Sequence, residues 1–152
     1  MHKKSSLSLP PDILYIIDVL NGNNYEAYLV GGCVRDFLTG RKPADWDIAT
    51  NAKASDIKKL FKKTIDTGLK HGTVTVVLNK INYEITAYRK KQNLKDDLSV
   101  RDFTINAIAY HPKEGFIDPF FGIDDIKNSI IRTVGKAKER FLEDPLRMLR
   151  AV

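Results

Sequence analysis

Leu29-Val30-Gly31-Gly32-Cys33-Val34-Arg35-Asp36-Phe37-Leu38, followed after a short interval by Asp45-Trp46-Asp47-Ile48-Ala49-Thr50, is the stretch that decides the fold. Residues 27–30 are apolar and strand-forming, and they lead into Gly31-Gly32 and then a short helix through Phe37 and Leu38. A strand that enters a glycine pair and opens a helix presents backbone N–H groups and a positive helix end to an anion. Arg35, on the first turn, adds a planar fork suited to phosphate oxygens. The competing reading is a tight turn that needs glycine, with Arg35 paired to Asp36 or another acid. Neither a Walker A sequence nor a spaced G-x-G-x-x-G is present, which disfavours the usual nucleotide folds.

In a strand, successive side chains point to opposite faces. A strand over residues 45–50 therefore projects Asp45 and Asp47 together and sends Trp46 and Ile48 into the core. Adjacent carboxylates repel unless a cation lies between them. Mg²⁺ accepts such oxygens and keeps positions open for phosphate. Taken alone, the motif fits a plain exposed acid pair equally well. Glu84, in Tyr83-Glu84-Ile85-Thr86, is a third acid in a strand pattern and calls for a partner or a metal among apolar neighbours. If its strand lies beside the first, the three acids converge as in two-metal phosphoryl transfer. A cross-strand lysine pair is the alternative for Glu84.

Outward from this centre, residues 11–20 read as a helix that begins on proline and ends at Asn21-Gly22. Residues 52–63 read as an amphipathic helix, with Ile57, Leu60 and Phe61 inward and Lys58, Lys59, Lys62 and Lys63 on a solvated face rather than a dedicated RNA contact. Residues 74–78 and 81–87 form a hairpin around Asn79-Lys80. Residues 89–99 read as a loop, 116–117 and 130–134 as short strands, and the chain from Lys136 onward as helical. The class is α/β or α+β with a mixed, partly antiparallel sheet. The 152 residues suffice for one core. With 43% hydrophobic residues and no apolar run near the ~20 needed for a bilayer, no membrane span is expected. The N-terminus shows no signal-peptide pattern, and a lone cysteine, Cys33, fits a reducing, cytoplasmic setting. The charge of +6 leans weakly toward a polyanionic partner. His2, His71 and His111 lack the spacing of a zinc hydrolase.

Residues 29–41 and 45–50, with Tyr83-Glu84-Ile85-Thr86-Ala87-Tyr88-Arg89, Arg101-Asp102-Phe103-Thr104-Ile105-Asn106-Ala107 and Glu143-Asp144-Pro145-Leu146-Arg147-Met148-Leu149-Arg150-Ala151, resemble class II tRNA nucleotidyltransferases and bacterial poly(A) polymerases of the DNA polymerase β superfamily. The resemblance runs from Val30 to the last residue, in the family's order. It implies a nucleotidyltransferase head over 1–134 and the start of a helical neck over 135–152, which reads as truncated. It implies Mg²⁺ on Asp45 and Asp47 with Glu84 in support, and triphosphate on Gly31, Gly32 and Arg35. Arg101 and Asp102 would contact the ribose and nucleotide, although Asp102 also suits a helix cap.

In the last block the resemblance implies that Asp144 and Arg147 read the incoming base, with Arg150 on the same helix face. Asp144 before Pro145 is at the same time a good helix cap. Cytosine and adenine each pair an exocyclic amino donor with a ring-nitrogen acceptor, which suits a carboxylate beside a guanidinium. The implied reaction is template-independent transfer of CMP, with AMP as a second unit, from CTP or ATP to the tRNA 3′ end. Residues 90–97 resemble the shortened loop of the CC-adding subclass, unless residues are missing from the chain there. An A-adding enzyme and a poly(A) polymerase share these motifs, and a non-catalytic nucleotide-binding remnant is the distant alternative. Val100 departs from the arginine usual before the Arg-Asp-Phe-Thr block.

Overall fold

The computed structural model describes residues 8–68, 72–90 and 93–152. The sequence readings on residues 1–7, His71 and 91–92 lie outside that set. Helix α1 (Pro11–Gly22) starts on proline, whose missing N–H would be unpaired there in any case, and buries Ile13, Ile16, Ile17 and Leu20 at helical spacing. Strand β1 (Ala27–Val30) feeds helix α2 (Gly32–Leu38), as expected. Strand β2 (Asp47–Thr50) is shorter than expected and begins at Asp47. Helix α3 (Ala54–Leu60) buries Ile57, while Lys58 pairs with Asp66 at 2.8 Å and Lys59 with Asp56 at 3.5 Å, in keeping with a solvated lysine face.

Strand β3 (Thr64–Gly68) has no counterpart in the sequence reading. Its residues are mostly exposed, so it lacks the apolar alternation that would announce it. Strands β4 (Thr73–Leu78) and β5 (Ile81–Ala87) form the expected hairpin, with positive φ at Asn79 (48°) and Lys80 (66°). Residues 89–99 are not all loop. Helix α4 (Leu94–Ser99) is capped by Asn93, whose side chain accepts the Asp96 N–H and donates to the Asp96 carboxylate. A 3-10 turn (Thr104–Asn106) precedes β6 (Ala109–His111) and β7 (Gly115–Ile117).

Helix α5 (Gly122–Lys127) was likewise unannounced, because only Ile123 and Ile126 carry its apolar spacing. Residues 130–134 are not a strand. They contribute one isolated bridge, Phe103 to Thr133, and leave Ile130 and Ile131 exposed. The helical tail is broken into α6 (Ala137–Glu143) and α7 (Leu146–Arg150), since Pro145 cannot continue the first helix.

The sheet order is β3-β4-β5-β2-β1-β6-β7, antiparallel throughout except for the parallel pair β2–β5. One face carries Leu29, Ile48, Ile85 and Val74 in register and packs on α1 and α3 with the main core. The opposite face carries Val30, Ala49 and Ala109, roofed by Leu98 of α4 and Val134. Each fully buried Ile or Leu adds about 1.5–3 kcal/mol, so the larger cluster holds the sheet, and the smaller one fixes what lies over its front. Among the described residues no helix is long and apolar enough to cross a membrane.

Candidate active site

The site is built where β1 stops. Gly31 takes φ 73°, ψ −140°, a conformation nearly closed to other residues. A β-carbon placed there would lie 3.4 Å from Arg101 Nη1 and 3.7 Å from Asp47 Oδ2. These are ordinary contact distances, so it is the backbone conformation rather than lack of space that requires glycine here. We expect Gly31→Ala to cost about 1–3 kcal/mol through backbone strain and to cut any activity of the cleft more than tenfold. Thermal melting and a turnover assay on the same preparation check both halves.

Asp47 and Glu84 are partners in the β2–β5 register and stand side by side on the front of the sheet. This pairing is the condition the sequence reading set for convergence of the acids. Asp45 departs from expectation. It precedes β2 in an exposed bend, so strand alternation does not place it beside Asp47. Trp46 and Ile48 do face the main core, with Trp46 tilted against Phe37 at 5.4 Å. Glu84 is exposed rather than enclosed by apolar neighbours, and it makes no ion pair with a lysine among the described residues.

Burial, then the Glu84 charge, pushes the Asp47 carboxyl up to about 6. A hydrogen bond with Glu84 and the nearby Asp45 add to the rise, and Arg101 opposes it. Acids so crowded that one tends to keep its proton suit a divalent cation. Among the described residues no set of three His, Cys, Asp or Glu side chains is gathered as a ready-made metal cage. Mg²⁺ does not need one, because it is held by one or two carboxylates together with water and substrate phosphate.

Arginines face these acids. A cleft of about 250 Å³ is lined by Gly31, Gly32, Arg35, Asp47, Arg101, Asp102, Arg147 and Arg150, all expected, and by Arg89 and Asn106, which were not. Asp144 lines an adjoining cavity of about 610 Å³ that shares Arg89, Arg147 and Arg150. Asp45 and Glu84 line neither. Asn106 is the hub of the polar network: it accepts from Arg35 Nη1 at 2.9 Å and donates to Asp102 Oδ1 at 3.1 Å. Arg35 also pairs with Asp36 at 3.0 Å, as the competing reading expected, while it lines the cleft. Asp102 accepts the Phe103 N–H at 2.8 Å, which gives it a local turn role as well.

Asp144 accepts the Leu146 N–H at 3.1 Å at the start of α7 and pairs with Arg150 at 2.6 Å. Arg147 donates to Glu143 at 2.9 Å and to the carbonyls of Arg140 and Val100 at 3.2 and 3.3 Å. The two groups expected to read a base are therefore engaged with separate partners. The Asp144–Arg150 pair is exposed and of the kind worth about 0–1 kcal/mol, so a ligand can displace it; Arg147 is more enclosed, with 14% of its side chain exposed. Desolvation, then the neighbouring Arg101, lowers the Arg89 pKa. The cleft as a whole is electropositive beside a crowded acid pair, chemistry suited to a phosphorylated ligand.

A model of the poly(A) polymerase head domain matches residues 27–132. The CCA-adding enzyme of Lactobacillus johnsonii is 49% identical, over 91% of this chain and 39% of its own length. That of Geobacillus sp. is 48% identical, over 91% and 38%. Among solved structures, the Bacillus stearothermophilus CCA-adding enzyme in complex with CTP superposes with a TM-score of 0.89 at 48% identity, covering 94% of this chain and 38% of that one. The Thermotoga maritima CCA-adding enzyme complexed with tRNA gives 0.80 at 33%, covering 94% and 37%. The chain thus spans about two fifths of the length of the curated relatives it matches.

Proposed function

Because the chain belongs to the poly(A) polymerase head-domain family, we propose that it is the catalytic head of a tRNA nucleotidyltransferase that moves CMP, and then AMP, from the nucleoside triphosphate to the 3′ end of tRNA. The observation that carries this reading is the Asp47–Glu84 pair, set beside the Gly31 turn and facing a cleft of arginines. The names of the relatives, CCA-adding enzymes, support the same chemistry. A cytoplasmic setting is part of the proposal, supported by a single, buried thiol at Cys33.

Arg35 and Arg101, with the backbone at Gly31 and Gly32, bind the triphosphate. Asp102, held by Asn106, accepts from the ribose hydroxyls. Asp144 takes the amino donor of cytosine or adenine, and Arg147 satisfies the ring nitrogen beside it. Asp47, with Glu84 and Asp45 at hand, would hold Mg²⁺, which when bound stabilises the entering and leaving oxygens. The RNA 3′ oxygen attacks the α-phosphorus, its proton passes to solvent or a nearby carboxylate, the bond to the β-phosphate oxygen breaks, and pyrophosphate leaves. The head extends over 1–134 and a helical neck begins at 135. That boundary follows the end of the family match and the exposure of Leu142, Leu146 and Leu149 on α6 and α7.

The test is incorporation of labelled CTP and ATP into tRNA lacking its CCA end, with Mg²⁺. Two cytidines and then one adenosine are expected for complete CCA synthesis. A stop after two cytidines would instead assign the CC-adding subclass and remove the AMP step. Long adenosine tails would assign a poly(A) polymerase, and no incorporation of either nucleotide would sink the reading.

A further inference from the structure

Asp97 was hidden in a polar run that reads as loop, yet it is 1% exposed. From α4 its Oδ1 accepts the Arg89 N–H, and its Oδ2 accepts from Arg101 Nη2, each at 3.0 Å. An unpaired buried carboxylate is strongly destabilising, and here both carboxylate oxygens are partnered. Arg101 is itself mostly buried, with 12% of its side chain exposed. One end of its guanidinium is taken by Asp97. Its Nη1 and Asp47 Oδ2 both stand beside Gly31, 3.4 and 3.7 Å from where a β-carbon there would lie. Its Nε is buried and has no hydrogen-bond partner among the described residues. One end of the fork is anchored and its Nε is buried, so Nη1 is what remains for a ligand in the cleft that Arg101 lines.

We propose that Asp97 is a positioning residue for nucleotide binding: it clamps Arg101 so that the remaining donors meet the phosphates instead of collapsing onto Asp47. The proposal rests on the nucleotidyl-transfer reading of the cleft. Without the clamp, Arg101 can turn toward Asp47, whose charge it already acts on, and an ion pair there would occupy both the phosphate donors and the acid. The same carboxylate ties the Arg89 backbone, two residues past β5, to α4.

The test is a double-mutant cycle on the full chain, with CTP affinity and affinity for a 3′-hydroxyl RNA measured separately in Mg²⁺. Asp97→Asn should weaken CTP binding about tenfold or more, the scale of one charged hydrogen bond, and leave RNA binding within about twofold. In an Arg101→Ala background the same change should cost less than about twofold, since the group it positions is gone. If Asp97→Asn melts below the assay temperature, Asp97→Glu, which keeps the charge but displaces it, carries the same cycle. Unchanged CTP affinity, or equal losses in both backgrounds, overturns the proposal. A parent protein that binds no CTP overturns the nucleotidyl-transfer reading itself and the proposal with it.

Discussion

Asp47→Asn is expected to reduce nucleotide transfer by about a thousandfold or more, the several kcal/mol that a metal-holding carboxylate supplies in the transition state. It should nevertheless make the metal-free protein more stable at neutral pH. In the fold the Asp47 carboxyl is pushed up to about 6, against an ordinary 3.8, by burial first and then by Glu84 and Asp45, with Arg101 opposing. The folded state therefore holds this proton more tightly than the unfolded chain does. Stability from this group is present in full below about pH 3.8 and is lost as pH rises from there to about 6. The loss is at most about 3 kcal/mol, reduced by solvent on the open side of the cleft.

Asparagine has no such proton to lose. Melting curves without divalent metal should coincide for the two proteins near pH 4 and separate by a few degrees near pH 8, with the variant higher. Added Mg²⁺ should raise the midpoint of the parent and not that of the variant. Retained transfer, or melting curves that never separate, would remove Asp47 from the centre of the site.

Gly122→Ala should have the largest effect on stability. Gly122 opens α5 against the 3-10 turn, and a β-carbon there would collide with the backbone carbonyl of Thr104 and come within 2.9 Å of Ile108. Backbone cannot yield as a flexible side chain does, so the cost should be about 3 kcal/mol, at the upper end for overpacking. For a domain of this size that is a fall of roughly 10 °C in the melting midpoint. The region has little slack. Asp118 caps the first N–H groups of α5 at 2.8 and 2.9 Å, and Asp125, 4% exposed, accepts from Thr104 Oγ1 at 2.6 Å and pairs with Arg132 at 3.1 Å. Because the same turn carries Asn106, the shift should reach Arg35 and Asp102 and weaken CTP binding as well. A midpoint within about 2 °C of the parent would mean that α5 can slide off the turn without penalty.

What the sequence determined by itself lies within short windows. The strand into Gly31-Gly32, the hairpin at Asn79-Lys80, the break at Pro145 and the side of the strand on which Glu84 stands all follow from local conformational rules. The sequence reading failed where local signal was thin: β3 is an exposed edge, α4 and α5 are short helices with few apolar positions, and Asp45 sits in a bend just ahead of the strand it was assigned to. Asn106 and Arg89 lay inside recognisable blocks without a role, and Asp97 lay outside them. Tertiary structure decided which of these groups meet. Parallel pairing of β2 with β5 puts Glu84 beside Asp47 across 37 residues of chain (84 − 47). Packing of α4 over the front of the sheet turns Asp97 toward Arg101, and the 3-10 turn brings Asn106 to Arg35. The physical reason is that propensity and periodicity act over a few residues, whereas the approach of charged groups is set by how separate elements bury their apolar faces against one another.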